Sequence, residues 1–136
     1  MITDDEIKGF WEAETNAPRW FRDANSNKHF SLEEFREWCA AFWRVYPLAD
    51  RNAALFVRRT GDLAEIHFNA RPGCDAARLT EELGDVKRDI LASGINTVIG
   101  WVAKPNRGLR RICEAMGMRD YGFHRFEGET HGRVIE

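Results

Sequence analysis

The chain has little of what staples small folds together or anchors proteins outside the cytoplasm. Cysteine occurs three times in 136 residues, at Cys39, Cys74 and Cys113. An odd number at such wide spacing gives neither a disulfide framework nor a paired-cysteine zinc site, and it fits a reducing cytoplasm. The histidines (His29, His67, His124 and His131) lack metal-ligand spacing, so no metal is expected. Charge of either sign is barely in excess. The formal net charge is −2 and the pI is near 6.1, which argues against a general nucleic-acid binder. No apolar run approaches the roughly 20 residues that cross a bilayer. The opening Met1-Ile-Thr-Asp-Asp-Glu6 is acidic where a secretory leader is apolar. No repeat, low-complexity tract or linker divides the sequence.

What is present is ordinary for a soluble globular protein, with 43% hydrophobic and 31% charged residues. The length predicts a single domain over 1–136. Its first part, 1–50, reads as helical and rich in aromatics. Residues 51–136 read as a sheet with two crossover helices, an α/β fold with a mixed sheet and flanking helices.

The first helix opens at Thr3, whose hydroxyl forms a capping box with Glu6. Ile7, Phe10 and Trp11 share its apolar face, and Asn16-Ala-Pro18 ends it. Trp20 to His29 reads as loop, with turn chemistry at 23–27. The second helix is capped by Ser31, with Glu34 as box partner and Phe30 and Phe35 as a hydrophobic staple. Leu32, Phe35, Trp38, Cys39, Phe42 and Tyr46 form its stripe, which Pro47 is expected to stop. Two strands, Ala53–Arg59 and Leu63–Asn69, are joined at Thr60-Gly-Asp62 as an antiparallel hairpin.

The remainder is organised around the stretch from Ala64 to Met118. A strand (Ala64–Asn69) passes through the loop Ala70–Cys74 into a helix (Asp75 to Ala92), then a strand (Ile95–Ala103), then a helix opening at Asn106. So short a strand–helix–strand unit predicts two parallel, adjacent strands joined by a right-handed crossover. Leu79, Leu83, Val86 and Ile90 form one face of its helix, which Gly94 ends, and close packing is the expected reason for Gly84 inside it. Leu109, Ile112, Cys113 and Met116 mark the inner face of the last helix, stopped by Gly117. Met118 to Glu136 reads as a hairpin turning near Glu127-Gly-Glu-Thr130, with Tyr121, Phe123 and Phe126 on its first arm.

The order and signposts of this stretch resemble the GNAT family of N-acyltransferases, which take an acyl group from a coenzyme A thioester. The family writes a strand, an Asn opening a helix, an aliphatic–Tyr pair, then Gly and an aromatic or aliphatic residue. Val98-Ile-Gly-Trp-Val102, Asn106, Ile112-Cys113 and Gly117-Met118 stand in those places. Its phosphate loop has Gln or Arg, two residues, Gly, one residue, and Gly or Ala. Arg71, Cys74 and Ala76 stand there. Cys74 thus replaces a Gly, and Cys113 replaces the family's Tyr proton donor. The resemblance covers roughly the last two thirds of the chain. The N-terminal third departs from it, since the strand that usually opens the fold has only Trp20-Phe21 as a candidate. The acyl acceptor is therefore not inherited.

The resemblance implies acetyl-CoA or another acyl-CoA as the partner and donor, held by Arg71, Gly73, Cys74, Asp75, Ala76, Asn106, Arg107 and Arg110. Backbone N–H groups at a helix start suit a pyrophosphate. The bland reading of that loop is a turn with Asp75 as N-cap, whose carboxylate satisfies the same donors. Lys104, Arg107, Arg110 and Arg111 are either phosphate contacts or a solvated helix face. Glu65 and His67, two apart on one strand, share a face. They are either a general base, for which imidazole is suited, or the polar side of a half-exposed strand. Cys113 and Tyr121 are the candidate proton donors to the leaving thiolate, and Cys113 reads equally as a buried, inert thiol. Four of the five tryptophans and five of the nine phenylalanines fall before residue 47. They read as core, or in part as a surface for a protein partner. The alternative function is a catalytically silent GNAT-fold protein of a bacteriophage, virion-associated and used in assembly.

Overall fold

The computed structural model describes residues 2–15, 31–71, 73–103, 107–126 and 128–135, with 14, 15, 101–103 and 120–135 described by backbone alone. Among the described residues, four helices and six strands run in the order α1 (Asp4–Thr15), α2 (Leu32–Ala40), β1 (Arg44–Leu48), β2 (Ala53–Thr60), β3 (Leu63–Ala70), α3 (Ala76–Ala92), β4 (Thr97–Ala103), α4 (Arg107–Ala115), β5 (Arg119–Phe126) and β6 (Gly128–Ile135). The strands form one mixed sheet ordered β1-β2-β3-β4-β6-β5. Among the described residues only β3 and β4 pair in parallel; the other neighbours are antiparallel. The mixed α/β architecture is the one expected.

Both helix starts follow their caps. The Glu6 N–H donates to Thr3 Oγ1 at 3.2 Å, and the Thr3 N–H donates to Glu6 Oε1 at 2.9 Å. Ser31 and Glu34 form the same reciprocal box. The second helix then departs from expectation. It stops at Ala40, with Ala41 as C-cap, and Arg44–Leu48 is a strand rather than the end of a helical stripe. The N-terminal part is therefore not wholly helical. Arg44–Leu48 instead pairs antiparallel with β2, Tyr46 opposite Leu55, and the Tyr46 hydroxyl donates to Asp89 of α3 at 2.6 Å beside Arg44, which also reaches Ser93 at 2.8 Å. Pro47 is accommodated because β1 is the outer strand of the sheet. The stretch 16–30, including Trp20-Phe21 and the turn at 23–27, lies outside the described residues.

Two apolar layers sandwich the sheet. Ala53, Leu55 and Val57 of β2 point with Ala64 and Val98 into a core closed by Leu79, Leu83, Val86 and Ile90 of α3 and Ile112 and Cys113 of α4. Ala54 and Phe56, the alternate residues of β2, point the other way into a core with Ile7 and Phe10 of α1 and Phe35 and Cys39 of α2. Side chains alternate along a strand, so β2 is buried on both faces and reads as an unbroken apolar run. The β2–β3 hairpin turns at Gly61-Asp62, where Gly61 has the positive φ (62°) such a turn needs.

The β1–β2 turn is unusual. Ala49, Asp50 and Arg51 all have positive φ, at 51°, 52° and 70°, which costs a non-glycine residue on the order of 1 kcal/mol or more. Contacts from two helices hold it. Glu82 accepts from the Ala49 N–H at 2.8 Å. Arg78 forks onto Asp50 at 2.6 and 2.7 Å. Arg51 forks onto Glu6 at 2.6 and 2.8 Å.

One expectation about α3 fails. A Cβ added at Gly84 would meet nothing within 4 Å, so close packing is not what placed glycine there.

Candidate functional site

The parallel pair β3–β4 runs only from Leu63↔Thr97 to Ile66↔Gly100. β3 continues to Ala70, still paired with β2, and β4 continues to Ala103, paired with β6. Past Ile66 and Gly100 the two strands therefore part, and the backbone of His67–Ala70 has no ladder partner on the β4 side. The β3 residues along this split are half-buried. It opens toward the end of β3 that feeds α3.

His67 is the first residue past the last pair, and it lies on the α1–α2 face. Its ring meets the Trp38 and Phe42 rings edge-on, each with centroids 5.5 Å apart. Its Nε2 is 3.0 Å from Glu65 Oε1 but off the line a hydrogen bond needs, so that buried nitrogen has no hydrogen-bond partner among the described residues. Burial pushes the imidazole pKa below its usual value; the Glu65 charge opposes this, and Arg58 adds to the fall. That nitrogen is shielded from solvent and stands against the Glu65 carboxylate. Glu65 sits across the β2–β3 ladder from Arg58. Both side chains of the pair remain 30% exposed, as on a half-exposed strand.

After β3 the chain enters the loop before α3. The Arg71 N–H donates to the Asn52 carbonyl at 2.8 Å, and the Cys74 thiol faces the Arg71 and Asn52 carbonyls at 3.3 and 3.7 Å. Burial raises that thiol's pKa, with Glu82 adding to it. Cys74 thus ties the loop to the strained β1–β2 turn. Gly73, at φ 90°, makes the reversal a side chain would resist. Asp75 is the N-cap of α3, its carboxylate accepting from the Ala77 N–H at 2.9 Å. Ala76 opens the helix and is exposed. The Arg71 guanidinium lies against α1, where a Cβ added at Gly9 would be 3.3 Å from its Cζ. It crosses toward α1 instead of curling over the start of α3. Arg78, one turn into α3, is occupied by Asp50 and Glu82.

On α4, Cys113 is buried at 6% exposure. Arg107 and Arg111 are exposed, and Arg110 is half-buried, its Nε shielded without a hydrogen-bond partner among the described residues. Lys104 and Asn106, and the side chain of Tyr121, lie outside the described residues. Between α3, α4 and the sheet lies an apolar cavity of about 40 Å³, bounded by Ile66 and Gly100 at the split and by Phe68, Leu109, Cys113 and Met116.

Sequence reasoning singled out Glu65, His67 and the loop 71–76; Glu65 lies in the paired part of β3, His67 just past its end, and the loop follows the parted length of β3. It did not find Asn52, Arg58 or Arg78, whose roles depend on partners distant in the chain. It read Trp38 and Phe42 as core or, in part, as a partner surface; their helical spacing gave no sign that they roof a histidine. Among the described residues no group of three or more His, Cys, Asp or Glu is placed to hold a metal ion, and no helix is long and apolar enough to cross a membrane.

No protein-family model matches the chain, and no curated protein matches it in sequence. Solved structures do match it in fold. A GNAT-family acetyltransferase from Bacillus anthracis superimposes with a TM-score of 0.74 at 13% identity, over 98% of this chain and 90% of that one. A mutant of the spermidine N-acetyltransferase SpeG from Vibrio cholerae gives 0.70 at 11% identity, over 98% and 90%. The ribosomal-protein-S5-alanine acetyltransferase from Vibrio fischeri gives 0.69 at 7% identity, over 99% and 90%. The chain has the fold of the GNAT acetyltransferases, and identities this low speak for the fold alone.

Proposed function

We propose that this protein is an N-acyltransferase that takes its acyl group from a coenzyme A thioester. The observation that carries the reading is the parting of β3 and β4 after Ile66 and Gly100, directly before a loop that opens a helix. In this reading the amide-rich pantetheine arm lies in the split and pairs with the free strand edge. The pyrophosphate lies near the loop 71–76 and the start of α3. Arg110, with a guanidinium nitrogen that has no hydrogen-bond partner among the described residues, supplies a charge-assisted contact to the coenzyme's phosphates, and Arg107 and Asn106 are further candidates for it.

The reaction is attack of a neutral amine on the thioester carbonyl. A C–N bond forms, the C–S bond breaks, the amine gives up one proton and the thiolate takes one. In this reading the Glu65–His67 pair takes the amine proton through a water, the imidazole accepting it and Glu65 stabilising the imidazolium that results. Cys113 and Tyr121 are the candidate donors to the thiolate. Cys113 lines the cavity behind the split and is buried among apolar groups. Two of the fold's neighbours act on acceptors as different as spermidine and the alanine of a ribosomal protein, so the acceptor here is left open.

A specific observation also favours a second reading, a silent fold serving virion assembly or another protein partner. The Asp75 carboxylate already occupies an N–H at the start of α3 and repels phosphate. Thermal denaturation with acetyl-CoA separates the two. Coenzyme at a hundred times its Kd raises stability by about 2.7 kcal/mol. A melting temperature indifferent to millimolar acetyl-CoA and free coenzyme A removes the transferase reading and leaves the silent one.

A further inference from the structure

We infer that the acyl group this protein handles best is longer than acetyl, a short straight chain of about four carbons, and that its tail lodges in the cavity behind the strand split. The inference rests on the thioester reading above and adds the donor's identity to it.

The cavity is placed and shaped for such a tail. Ile66 and Gly100, the last residues paired between β3 and β4, both line it, and so does Phe68 from the parted length of β3. It thus begins where a thioester carbonyl would lie and runs back beneath α4, on the face opposite His67. An acyl carbon held at the split can turn its tail into the cavity and leave the carbonyl open to the α1–α2 side. The lining side chains named here carry no hydroxyl, amide or charge. An apolar void of this kind stays dry and accepts hydrocarbon.

Small residues keep it open. Gly100 presents no side chain, and a Cβ there would already stand 3.1 Å from Ile66 Cγ1 and 3.7 Å from Met118 Cε. Cys113 offers a short side chain from α4, at a position facing the sheet. Met116 and Met118 supply unbranched, adaptable walls. The volume of about 40 Å³ is enough for roughly three water-sized groups. Beyond its carbonyl carbon a butyryl group has three such groups and an acetyl group has one.

Calorimetric titration of the full chain with free coenzyme A and its acetyl, propionyl, butyryl and hexanoyl thioesters tests this. Each methylene entering the cavity should tighten binding about fourfold. Butyryl-CoA is then expected to bind about fifteenfold tighter than acetyl-CoA, with no further gain at hexanoyl. Cys113→Leu, which fills the cavity, should flatten the series to the acetyl level while melting no lower than the wild type. Leu109→Ala, which enlarges it, should move the optimum to a longer chain. Thioesters that all bind alike, or acetyl-CoA binding tightest, would overturn the inference and leave the coenzyme reading intact. No binding by any of them, free coenzyme A included, would overturn both. A gradient that survives unchanged in Cys113→Leu would place the tail elsewhere and also overturn it.

Discussion

Ile66 and Gly100 face each other as the last parallel pair of β3 and β4, and a Cβ on residue 100 would come within 3.1 Å of Ile66 Cγ1. The missing side chain lets the two strands touch at the point from which they diverge. Gly100→Ala must push Ile66 off its rotamer or move a strand, at an expected cost of about 1–3 kcal/mol. Thermal or urea denaturation measures it. A variant as stable as the parent would mean that Ile66 gives way freely.

Gly84 presents the opposite case. It lies in the middle of α3 with open space where a side chain would go, so glycine costs helix propensity with no packing in return. Gly84→Ala should stabilise the protein by about 1 kcal/mol and raise the melting temperature by roughly 4 °C. A lower melting temperature would show a neighbour that the structure lacks.

His67 should titrate below the usual 6.5 of a histidine, because burial disfavours its charged form. Its folded-state pKa is thus depressed. The stability it contributes is full above pH 6.5 and is lost as pH falls from there through the folded value. Glu65→Gln removes the charge that supports the imidazolium, so the His67 pKa should fall further. Its ring-proton NMR titration reads this directly, and a rise in that variant would reverse the assignment.

Glu6 has a pKa lowered from 4.5 to about 2, chiefly by its hydrogen bond with Arg51. Here the ionised form is favoured by folding, so the contribution is complete above pH 4.5 and fades as pH drops toward 2. Arg51→Met should be less stable than the parent at neutral pH, with the gap closing across that acid window. A gap that persists at pH 2 would locate the cost in packing rather than in the ion pair.

Asp75→Asn keeps a side-chain oxygen for the cap, since asparagine caps as well as aspartate, while removing one negative charge from the start of α3. Coenzyme A should bind severalfold tighter to this variant if its pyrophosphate rests there. Calorimetric titration decides. Unchanged or weaker binding would make the loop 71–76 a capped turn and no more.

The crossover from β3 through α3 to β4 was legible because its signals are local. Apolar spacing marks the helix face, Asp75 marks its start, and the unbroken apolar run at Val98–Val102 marks a strand with a neighbour on each side. The strand β1 was not legible. Phe42 and Tyr46 continue the apolar spacing of α2, and no glycine or proline marks its end at Ala40, so only the ladder with β2 and the contacts to the distant Asp89 and Ser93 show that Arg44 and Tyr46 belong to a strand. The candidate site divides the same way. That Glu65 and His67 share a face follows from strand alternation. The crossing of Arg71 to Gly9, the capture of Arg78 by Asp50, and the roofing of His67 by Trp38 and Phe42 depend on long-range packing, and no periodicity encodes it.

The left-handed turn at Ala49–Arg51 carries a consequence for the order in which the chain folds. A hairpin nucleates early when its turn is locally favourable, as Gly61-Asp62 makes the turn of β2–β3. The β1–β2 turn is locally unfavourable, and the groups that stabilise it, Glu6, Arg78 and Glu82, arrive only when α1 and α3 have docked. The outer strand should therefore join late, after the β2–β3 hairpin and the helices have met. Mutational φ-values should be high at the tip of β2–β3 and near zero for Arg51 and Arg78. Opening of the native protein should likewise start at β1, the strand that backs the loop beneath α3, so hydrogen exchange there should outpace that of β2.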